Sequence, residues 1–289
     1  MKIVFWASDK DREQVLAKAV LRGAKRQGFE VEQRMLCANP DVSGFDVGCM
    51  VGVKSASLFH AHRAAGILPV MMDKGYVRSR VPGARTWEYW RISVGAHHPT
   101  RTTLMRTKLP TERWADLGID LAPWRTRGNH ILIAGSSAKY HTFYGLPEPT
   151  LWTRQLVEEI RQHSDRPIIY RPKPSWTGAV PIEGTQFSGG GEAIGQALWG
   201  AHCMITHGSN TCFEAALMGV PSIILGNAVA APISSASLND IEYPLMGKRD
   251  QWLANLAWHQ FTENEFRDGT AWEVLRPWIE RGVANVRAE

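Results

Sequence analysis

Cysteine is scarce in this sequence. Four cysteines occur in 289 residues, and none forms a CxxC pair with another. Cys37, Cys49, Cys203 and Cys212 lie in apolar or helical segments, a setting that predicts reduced, buried thiols. The spacing argues against a zinc site, and reduced thiols predict a cytoplasmic protein.

Long apolar runs are also missing. No stretch approaches the ~18 residues that a membrane span requires, and the segment after Met1–Trp6 becomes polar too early for a signal peptide. Neither sign of charge dominates, because 33 Lys and Arg accompany 28 Asp and Glu, for a formal net charge of +5. This mild excess permits a polyanionic partner without requiring one.

The amino-terminal half alternates apolar runs with helical patterns, which predicts a parallel, doubly wound α/β sheet. No G-x-G-x-x-G follows the first strand, which argues against an NAD-type site in this half. The predicted strands are Lys2–Ala7, Phe29–Leu36, Asp46–Val53, Ile67–Met72 and Tyr89–Val94, and the helices are Asp11–Gln27 and Ser55–Ala65.

A polar stretch with Pro and Arg, Asp116–Gly128, predicts a hinge, and the alternation then starts again. We therefore predict two α/β domains, residues 1–122 and 123–289. In the second domain we predict strands at Asn129–Ala134, Pro167–Arg171, Cys203–Thr206 and Ser222–Leu225, helices at Thr150–His163 and Glu192–Leu198, and helical patterning over Trp252–Phe261 and Glu263–Ala288.

The most informative stretch is His207–Gly226, which reads as a polar turn, a helix, Gly-Val-Pro and a strand. A turn of small residues that opens a helix presents backbone N–H groups and the positive end of the helix dipole, a site suited to a diphosphate. Glu214, one turn into the helix, could accept hydrogen bonds from sugar hydroxyls. The alternative is an ordinary βαβ unit in which Ser209 or Asn210 only caps the helix.

This stretch resembles the donor-binding segment of GT-B nucleotide-sugar glycosyltransferases and of the related sugar epimerases. The resemblance implies two Rossmann-like domains facing across a cleft, with the donor in the second domain and the last helix packed back on the first. It also implies a nucleoside-diphosphate sugar, such as a UDP-hexose, as co-substrate and no bound metal. The residues it assigns to the donor are Gly135, Ser136, Arg171, Lys173, His207, Gly208, Ser209, Asn210, Thr211 and Glu214.

Basic side chains follow the predicted strand Pro167–Arg171, where open α/β sheets bind ligands. Arg171 and Lys173 in Arg-Pro-Lys-Pro could bind and neutralise a leaving diphosphate. The turn Gly135-Ser136 after an earlier strand is a second candidate contact. A solvated basic loop and a plain turn remain the alternatives.

Asp73 is the predicted catalytic base, because it ends an apolar strand of the presumed acceptor domain and a carboxylate can take the proton of an acceptor hydroxyl. His97 and His98 follow the next strand and are rival bases. An Asx-turn or a helix cap is the alternative role for Asp73.

The acceptor region combines basic and aromatic residues, an arrangement suited to DNA with a flipped base. Asp73–Tyr76 and Tyr89–Val94 are also similar to uncharacterised phage glycosyltransferase-like proteins, which implies a hydroxymethylated pyrimidine in DNA as acceptor. The residues assigned to the acceptor are Lys74, Tyr76, Arg78 and Trp90. The other residues of this pattern are Arg80, Arg85, Trp87, Tyr89, Arg91, Arg101, Arg106 and Lys108.

Other functions stay open at this point. The same donor site would serve transfer to a cell-surface glycan or lipid intermediate, or a nucleotide-sugar 2-epimerase. A nucleic-acid-binding protein on an α/β scaffold is a further alternative. The alternative to an acceptor-binding surface is that the basic residues form a solvated face and the aromatic residues belong to the core.

Overall fold

A computed structural model describes residues 1–77, 88–105, 108–189 and 191–288. The strands are β1 (Lys2–Ala7), β2 (Glu30–Met35), β3 (Val47–Val51), β4 (Leu68–Lys74), β5 (Tyr89–Val94), β6 (His130–Ala134), β7 (Ile168–Arg171), β8 (Gln186–Phe187), β9 (Ala201–Thr206), β10 (Ser222–Ile224) and β11 (Gln260–Thr262). The helices are α1 (Asp11–Arg26), α2 (Ala56–Ala64), α3 (Arg101–Met105), α4 (Glu112–Ala115), α5 (Ala138–Tyr144), α6 (Pro149–Arg161), α7 (Ile194–Leu198), α8 (Thr211–Leu217), α9 (Asp250–Ala257), α10 (Glu263–Asp268) and α11 (Thr270–Ala288).

The chain forms two compact units. The first contains Met1–Thr100, Leu109–Arg113 and Ala254–Glu289, and the second contains Arg101–Lys108 and Trp114–Leu253. The sequence placed the boundary at 122/123. The contacts instead group residues 114–122 with the second unit and residues 254–289 with the first.

The first unit contains a six-stranded sheet in the order β11-β5-β4-β3-β1-β2. Strands β1 to β4 are parallel, as the alternation predicts, but β5 runs antiparallel to β4 and pairs Asp73 with Arg91. The expectation of a wholly parallel sheet is therefore wrong for β5. No described helix connects β4 to β5, and the parallel crossover that such a helix provides is absent from the described residues.

The carboxyl-terminal part of the first unit departs from the predicted helical pattern. Over Trp252–Phe261 the chain leaves α9 and forms β11, which pairs antiparallel with β5. Gly269 has a φ of 100° and separates α10 from α11. The terminal helices pack on α1, since the Trp272 indole N–H donates to the Val20 carbonyl at 2.8 Å.

The second unit contains a five-stranded sheet in the order β10-β9-β6-β7-β8, and every pair in it is parallel. Its core includes Ile131, Ile133, Ile205 and Ile223, on which Leu156 and Ile160 of α6 pack. The alternating pattern predicted the longer strands to within two residues of their ends. Helix α5 and the two-residue strand β8 were not predicted.

Two smaller expectations have different outcomes. Cys49, Cys203 and Cys212 are buried free thiols, whereas Cys37 is exposed, so the expectation of burial is wrong for Cys37. Within the described residues, no helix combines the length and the apolar character needed to cross a membrane.

Candidate functional site

Three strands of the second unit end side by side at one edge of the sheet, which we call the second carboxyl edge. They are β6, β7 and β9, whose last residues are Ala134, Arg171 and Thr206. The Gly135 N–H donates to the Arg171 carbonyl at 2.9 Å, and the Thr206 hydroxyl donates to the Ala134 carbonyl at 2.9 Å. The loops after these strands therefore emerge together, where open α/β sheets bind ligands.

Arg171 is the most unusual residue at this edge. Its side chain is 7% exposed, yet one of its N–H groups donates within the described residues, from Nη2 to the Glu192 carbonyl at 2.9 Å. The buried Nε has no hydrogen-bond partner there. A buried guanidinium with so few acceptors is costly unless an anion pairs with it.

Charges around Arg171 offset part of that cost. Burial lowers the pKa of the Arg171 guanidinium, while the carboxylates of Glu192 and Glu214 act in the opposite direction. Glu214 lies on α8 and is half-buried. The structure thus places two residues predicted to bind the donor, Arg171 and Glu214, within electrostatic range of each other.

Sequence reasoning missed Ser188. The Ser188 N–H donates to the Tyr170 carbonyl at 3.0 Å, which extends the β7–β8 pairing to the position beside Arg171. Its buried hydroxyl has no hydrogen-bond partner in the described part of the chain. Strand β8 has only two residues, too few for a periodic signal, so the sequence offered no indication of this serine.

Several N–H and hydroxyl groups of the polar turn after β9 are already hydrogen-bonded within the turn or to the end of β9. The Ser209 N–H donates to the Thr206 hydroxyl at 3.1 Å, and the Cys212 N–H donates to the Ser209 carbonyl at 3.2 Å. The Thr211 hydroxyl donates to the Ser209 hydroxyl at 2.9 Å. Asn210 is exposed and its side chain does not cap α8. Of the two capping residues foreseen, Asn210 therefore makes no cap, whereas the Ser209 hydroxyl accepts the Thr211 N–H at 3.4 Å. A diphosphate would find fewer free N–H donors than the sequence implied.

His207 and Gly208 face an aromatic cluster rather than an open turn. The Tyr140 hydroxyl lies 2.9 Å from His207 Nδ1, and the His207 ring contacts Tyr144 with a centroid distance of 5.3 Å. Burial lowers the pKa of His207. A Cβ at Gly208 would overlap the Tyr140 hydroxyl. The glycine is required here for close packing.

The remaining residues predicted to bind the donor differ in exposure. Ser136 is buried in the loop after β6, and Lys173 is exposed in the loop after β7. A Cβ on Gly135 would lie 3.1 Å from the Tyr170 ring, so this position also favours a small residue. Lys173 is accessible to an anion, whereas Ser136 would need to contact a ligand through the small part of its surface that is exposed.

In the first unit, the three predicted catalytic residues gather around Arg91. Its Nη2 donates to His97 Nε2 at 2.8 Å and lies 3.5 Å from Asp73 Oδ2. Its Nη1 donates to His98 Nδ1 at 2.6 Å and to the Tyr76 hydroxyl at 3.2 Å. We call these five residues the Arg91 cluster. Asp73 Oδ1 also accepts the N–H of the next residue, Lys74, at 2.8 Å.

Among the described residues of the acceptor pattern, four are buried and three are exposed. Tyr76, Tyr89 and Trp90 belong to the core, and so does Arg91. A buried ring cannot stack on a base, so the core alternative holds for the three aromatic residues. A buried guanidinium cannot track phosphates, and Arg91 does not belong to a solvated surface either. Lys74, Arg101 and Lys108 are exposed. Arg78, Arg80, Arg85, Trp87 and Arg106 lie outside the described residues.

A metal was not predicted. Within residues 1–77, 88–105, 108–189 and 191–288, no group of three or more His, Cys, Asp and Glu residues is placed to hold a metal ion. The prediction that the chemistry needs no metal stays a prediction.

Comparison with solved structures gives the fold. A structure of KpsC from Thermosulfurimonas dismutans described as a β-Kdo 2,7 transferase matches with a TM-score of 0.55 and 14% identity, covering 96% of this chain and 100% of the other. A structure described as the β-Kdo 2,4 transferase of KpsC from the same organism matches with a TM-score of 0.51 and 12% identity, covering 90% and 91%. The chain has the GT-B fold. No family model matches it, and no curated protein matches it in sequence.

At these identities, it is the fold that is shared. The carboxyl edge of the second sheet in a GT-B protein is where the sequence resemblance implies a donor, and Arg171, Ser188 and Glu214 lie there. The fold by itself does not specify a reaction, which must be argued from these side chains.

Proposed function

We propose that the protein transfers a sugar from a nucleoside-diphosphate sugar, such as a UDP-hexose, to a hydroxyl group. The observation that carries this proposal is Arg171, a buried cation with a single hydrogen bond in the described chain, at the second carboxyl edge of a GT-B fold. An anionic phosphate supplies the acceptors that this guanidinium lacks.

In the proposed reaction, the acceptor oxygen attacks the anomeric carbon and the bond from that carbon to the phosphate oxygen breaks. The nucleoside diphosphate leaves with the electron pair of that bond. Arg171 and Lys173 stabilise the charge that grows on the leaving group, which lowers the barrier more than it strengthens binding. Asp73 takes the proton of the acceptor hydroxyl.

The turn His207–Thr211 and Glu214 complete the proposed donor site. The diphosphate would lie between Arg171 and Gly208–Thr211, and Glu214 would accept hydrogen bonds from sugar hydroxyls. The negative charge of Glu214 near Arg171 supports placing both in one site, because the carboxylate raises the pKa of the guanidinium and so favours its charged form.

A glycan hydroxyl is the better supported acceptor. The DNA proposal relied on basic and aromatic residues alternating on one surface, and Tyr76, Tyr89, Trp90 and Arg91 are buried. What remains in the described chain is a set of exposed basic residues, which a solvated surface also explains. We therefore propose transfer to a glycan, with hydroxymethylated DNA as the competing acceptor.

A thermal-shift screen followed by a transfer assay tests the proposal. A ligand that binds only the folded protein raises Tm, so nucleoside diphosphates and their sugars should raise it while nucleosides without phosphate should not. The label of the stabilising donor should then enter a glycan acceptor. Labelling of hydroxymethylated DNA instead would reverse the choice of acceptor, and the absence of a shift with every nucleotide would overturn the proposed function.

A further inference from the structure

We propose that Arg91 is a positioning residue which fixes one ring tautomer on each of His97 and His98, and that these histidines are not the base. This inference deepens the proposed function, because it chooses among Asp73, His97 and His98. It rests on the geometry of the Arg91 cluster, not on the nucleotide site.

Arg91 donates a hydrogen bond to one ring nitrogen of His97 and to one of His98. An arginine N–H can only donate, so the ring nitrogen that it meets must be unprotonated. His97 Nε2 at 2.8 Å therefore carries a lone pair. Of the two His98 nitrogens near Arg91 Nη1, Nδ1 at 2.6 Å is much nearer than Nε2 at 3.5 Å, so Nδ1 carries the lone pair of that ring. The proton of each neutral ring lies on the other nitrogen, Nδ1 of His97 and Nε2 of His98.

Neither ring can then serve as the base. The lone pair of each imidazole is used by a guanidinium, and the remaining nitrogen already bears a proton. His98 is 0% exposed and His97 is 7% exposed, so an acceptor hydroxyl has little access to either. The rings pack against each other with centroids 4.3 Å apart.

Asp73 differs in access. Its side chain is 37% exposed, whereas that of Arg91 is 2% exposed. Asp73 and Arg91 are paired across β4 and β5, and Oδ2 of Asp73 faces the same guanidinium nitrogen that donates to His97. The histidines orient Arg91, and Arg91 orients the one carboxylate of the cluster that a substrate can reach.

Tyr76 contacts both Arg91 and His98. Its hydroxyl donates to the unprotonated His98 Nδ1 at 2.8 Å, sharing that lone pair with Arg91, and accepts from Arg91 Nη1 at 3.2 Å. The Arg91 cluster therefore uses both terminal nitrogens of the guanidinium. A lysine has one nitrogen and no planar fork, so it keeps the charge but cannot meet the same partners.

Nitrogen NMR of the histidine rings tests the inference without any nucleotide. In protein labelled with ¹⁵N-histidine, variants His97→Gln and His98→Gln identify the two sets of ring signals. The wild-type protein should show an unprotonated Nε2 for His97 and an unprotonated Nδ1 for His98. The opposite tautomer on either ring, or a doubly protonated ring at pH 7, would overturn the inference.

Arg91→Lys then tests whether Arg91 is the cause. Both tautomers should become mixed, and the turnover number should fall tenfold or more while donor affinity stays at the wild-type value. Arg34→Lys is the matched control, because Arg34 is a half-buried arginine of the same unit that pairs with Glu32. It should change neither the ring tautomers nor the turnover number. Unchanged tautomers in a folded Arg91→Lys protein would contradict the proposal.

A second variant covers the case in which Arg91→Lys does not fold. Tyr76→Phe removes one hydroxyl and keeps the ring, so it should leave the His97 tautomer intact and alter the His98 signals. Unchanged His98 signals in Tyr76→Phe would contradict the arrangement. Loss of nucleotide binding would count against the proposed function alone, because the ring tautomers are read without ligand.

Discussion

The Tyr140 hydroxyl lies 2.9 Å from His207 Nδ1, directly over Gly208. This contact places the start of the polar turn against α5, and it leaves no space for a side chain at position 208. The conformation of the turn predicted to bind phosphate is therefore determined by its packing against α5.

Gly208→Ala should be destabilising, because the added methyl group overlaps the Tyr140 hydroxyl and forces that ring or the turn to move. Overpacking of this kind costs about 1–3 kcal/mol. Urea unfolding should show the loss as a lower midpoint with an unchanged slope. In Gly195→Ala, where the new Cβ meets only Met218 at 3.7 Å, stability should be kept. Equal midpoints for the two variants would show that the close approach at Gly208 does not matter.

Glu214→Ala should weaken binding of the nucleotide sugar without unfolding the protein. Hydrogen bonds to a charged carboxylate contribute ~1.5–3 kcal/mol, which corresponds to a tenfold or greater loss in affinity. Titration calorimetry with UDP-sugars measures this loss of affinity. Glu158→Ala, an exposed position on α6, is the matched control and should bind normally. Equal affinities in both variants would remove Glu214 from the site.

Asp73→Asn should lower sugar transfer by about 10²–10⁴ and leave donor affinity intact, because the amide keeps the shape of the side chain and loses the basic oxygen. The measurement is the turnover number under saturating donor, with Glu30→Gln on the exposed face of β2 as control. Full activity in Asp73→Asn would mean that the acceptor proton goes elsewhere.

His259 should make the protein sensitive to acid. Its ring is fully buried, 5.0 Å from the Trp278 ring, and burial lowers its pKa from 6.5 to about 4. The unfolded chain then binds a proton at a pH where the folded chain does not. Its contribution to the free energy of unfolding is present above pH 6.5 and is lost as the pH falls towards 4, a change of about 3 kcal/mol.

The corresponding measurement is the urea midpoint at pH 7.5 and pH 4.5. His259→Phe keeps an aromatic ring and removes the titrating group, so its midpoint should fall less between the two pH values than that of the wild type. His163→Gln, at an exposed position, should behave like the wild type. An identical fall in wild type and His259→Phe would assign the acid sensitivity to other groups.

Much of the fold followed from alternating patterns. Apolar runs such as Ile131–Ala134 and Cys203–Thr206 are buried on both faces, which makes them recognisable as central parallel strands. Strand β11 was not predictable, because Gln260–Thr262 continues an apolar helical pattern and becomes a strand only by pairing with β5. Long-range pairing of this kind leaves no local signal.

The candidate site was predictable in part. Arg171 could be found because a basic residue ends a buried strand, whereas Ser188 follows a strand too short to show a pattern. Arg91 was interpreted as a surface charge because a sequence shows neither that β5 runs antiparallel nor that its face bearing Arg91 is covered. Arg91, expected to contact phosphate at the surface, is instead buried at the centre of the Arg91 cluster.

The most direct test of the central claim is calorimetric binding of UDP to wild type and to Arg171→Ala. UDP is the proposed leaving group and carries the charge that Arg171 should neutralise. Affinity should fall at least about tenfold in Arg171→Ala, since charge-assisted hydrogen bonds contribute ~1.5–3 kcal/mol. Arg154→Ala, at an exposed position on α6, should bind like the wild type. Equal UDP affinity in wild type and a folded Arg171→Ala protein would contradict a nucleotide-sugar site at this edge.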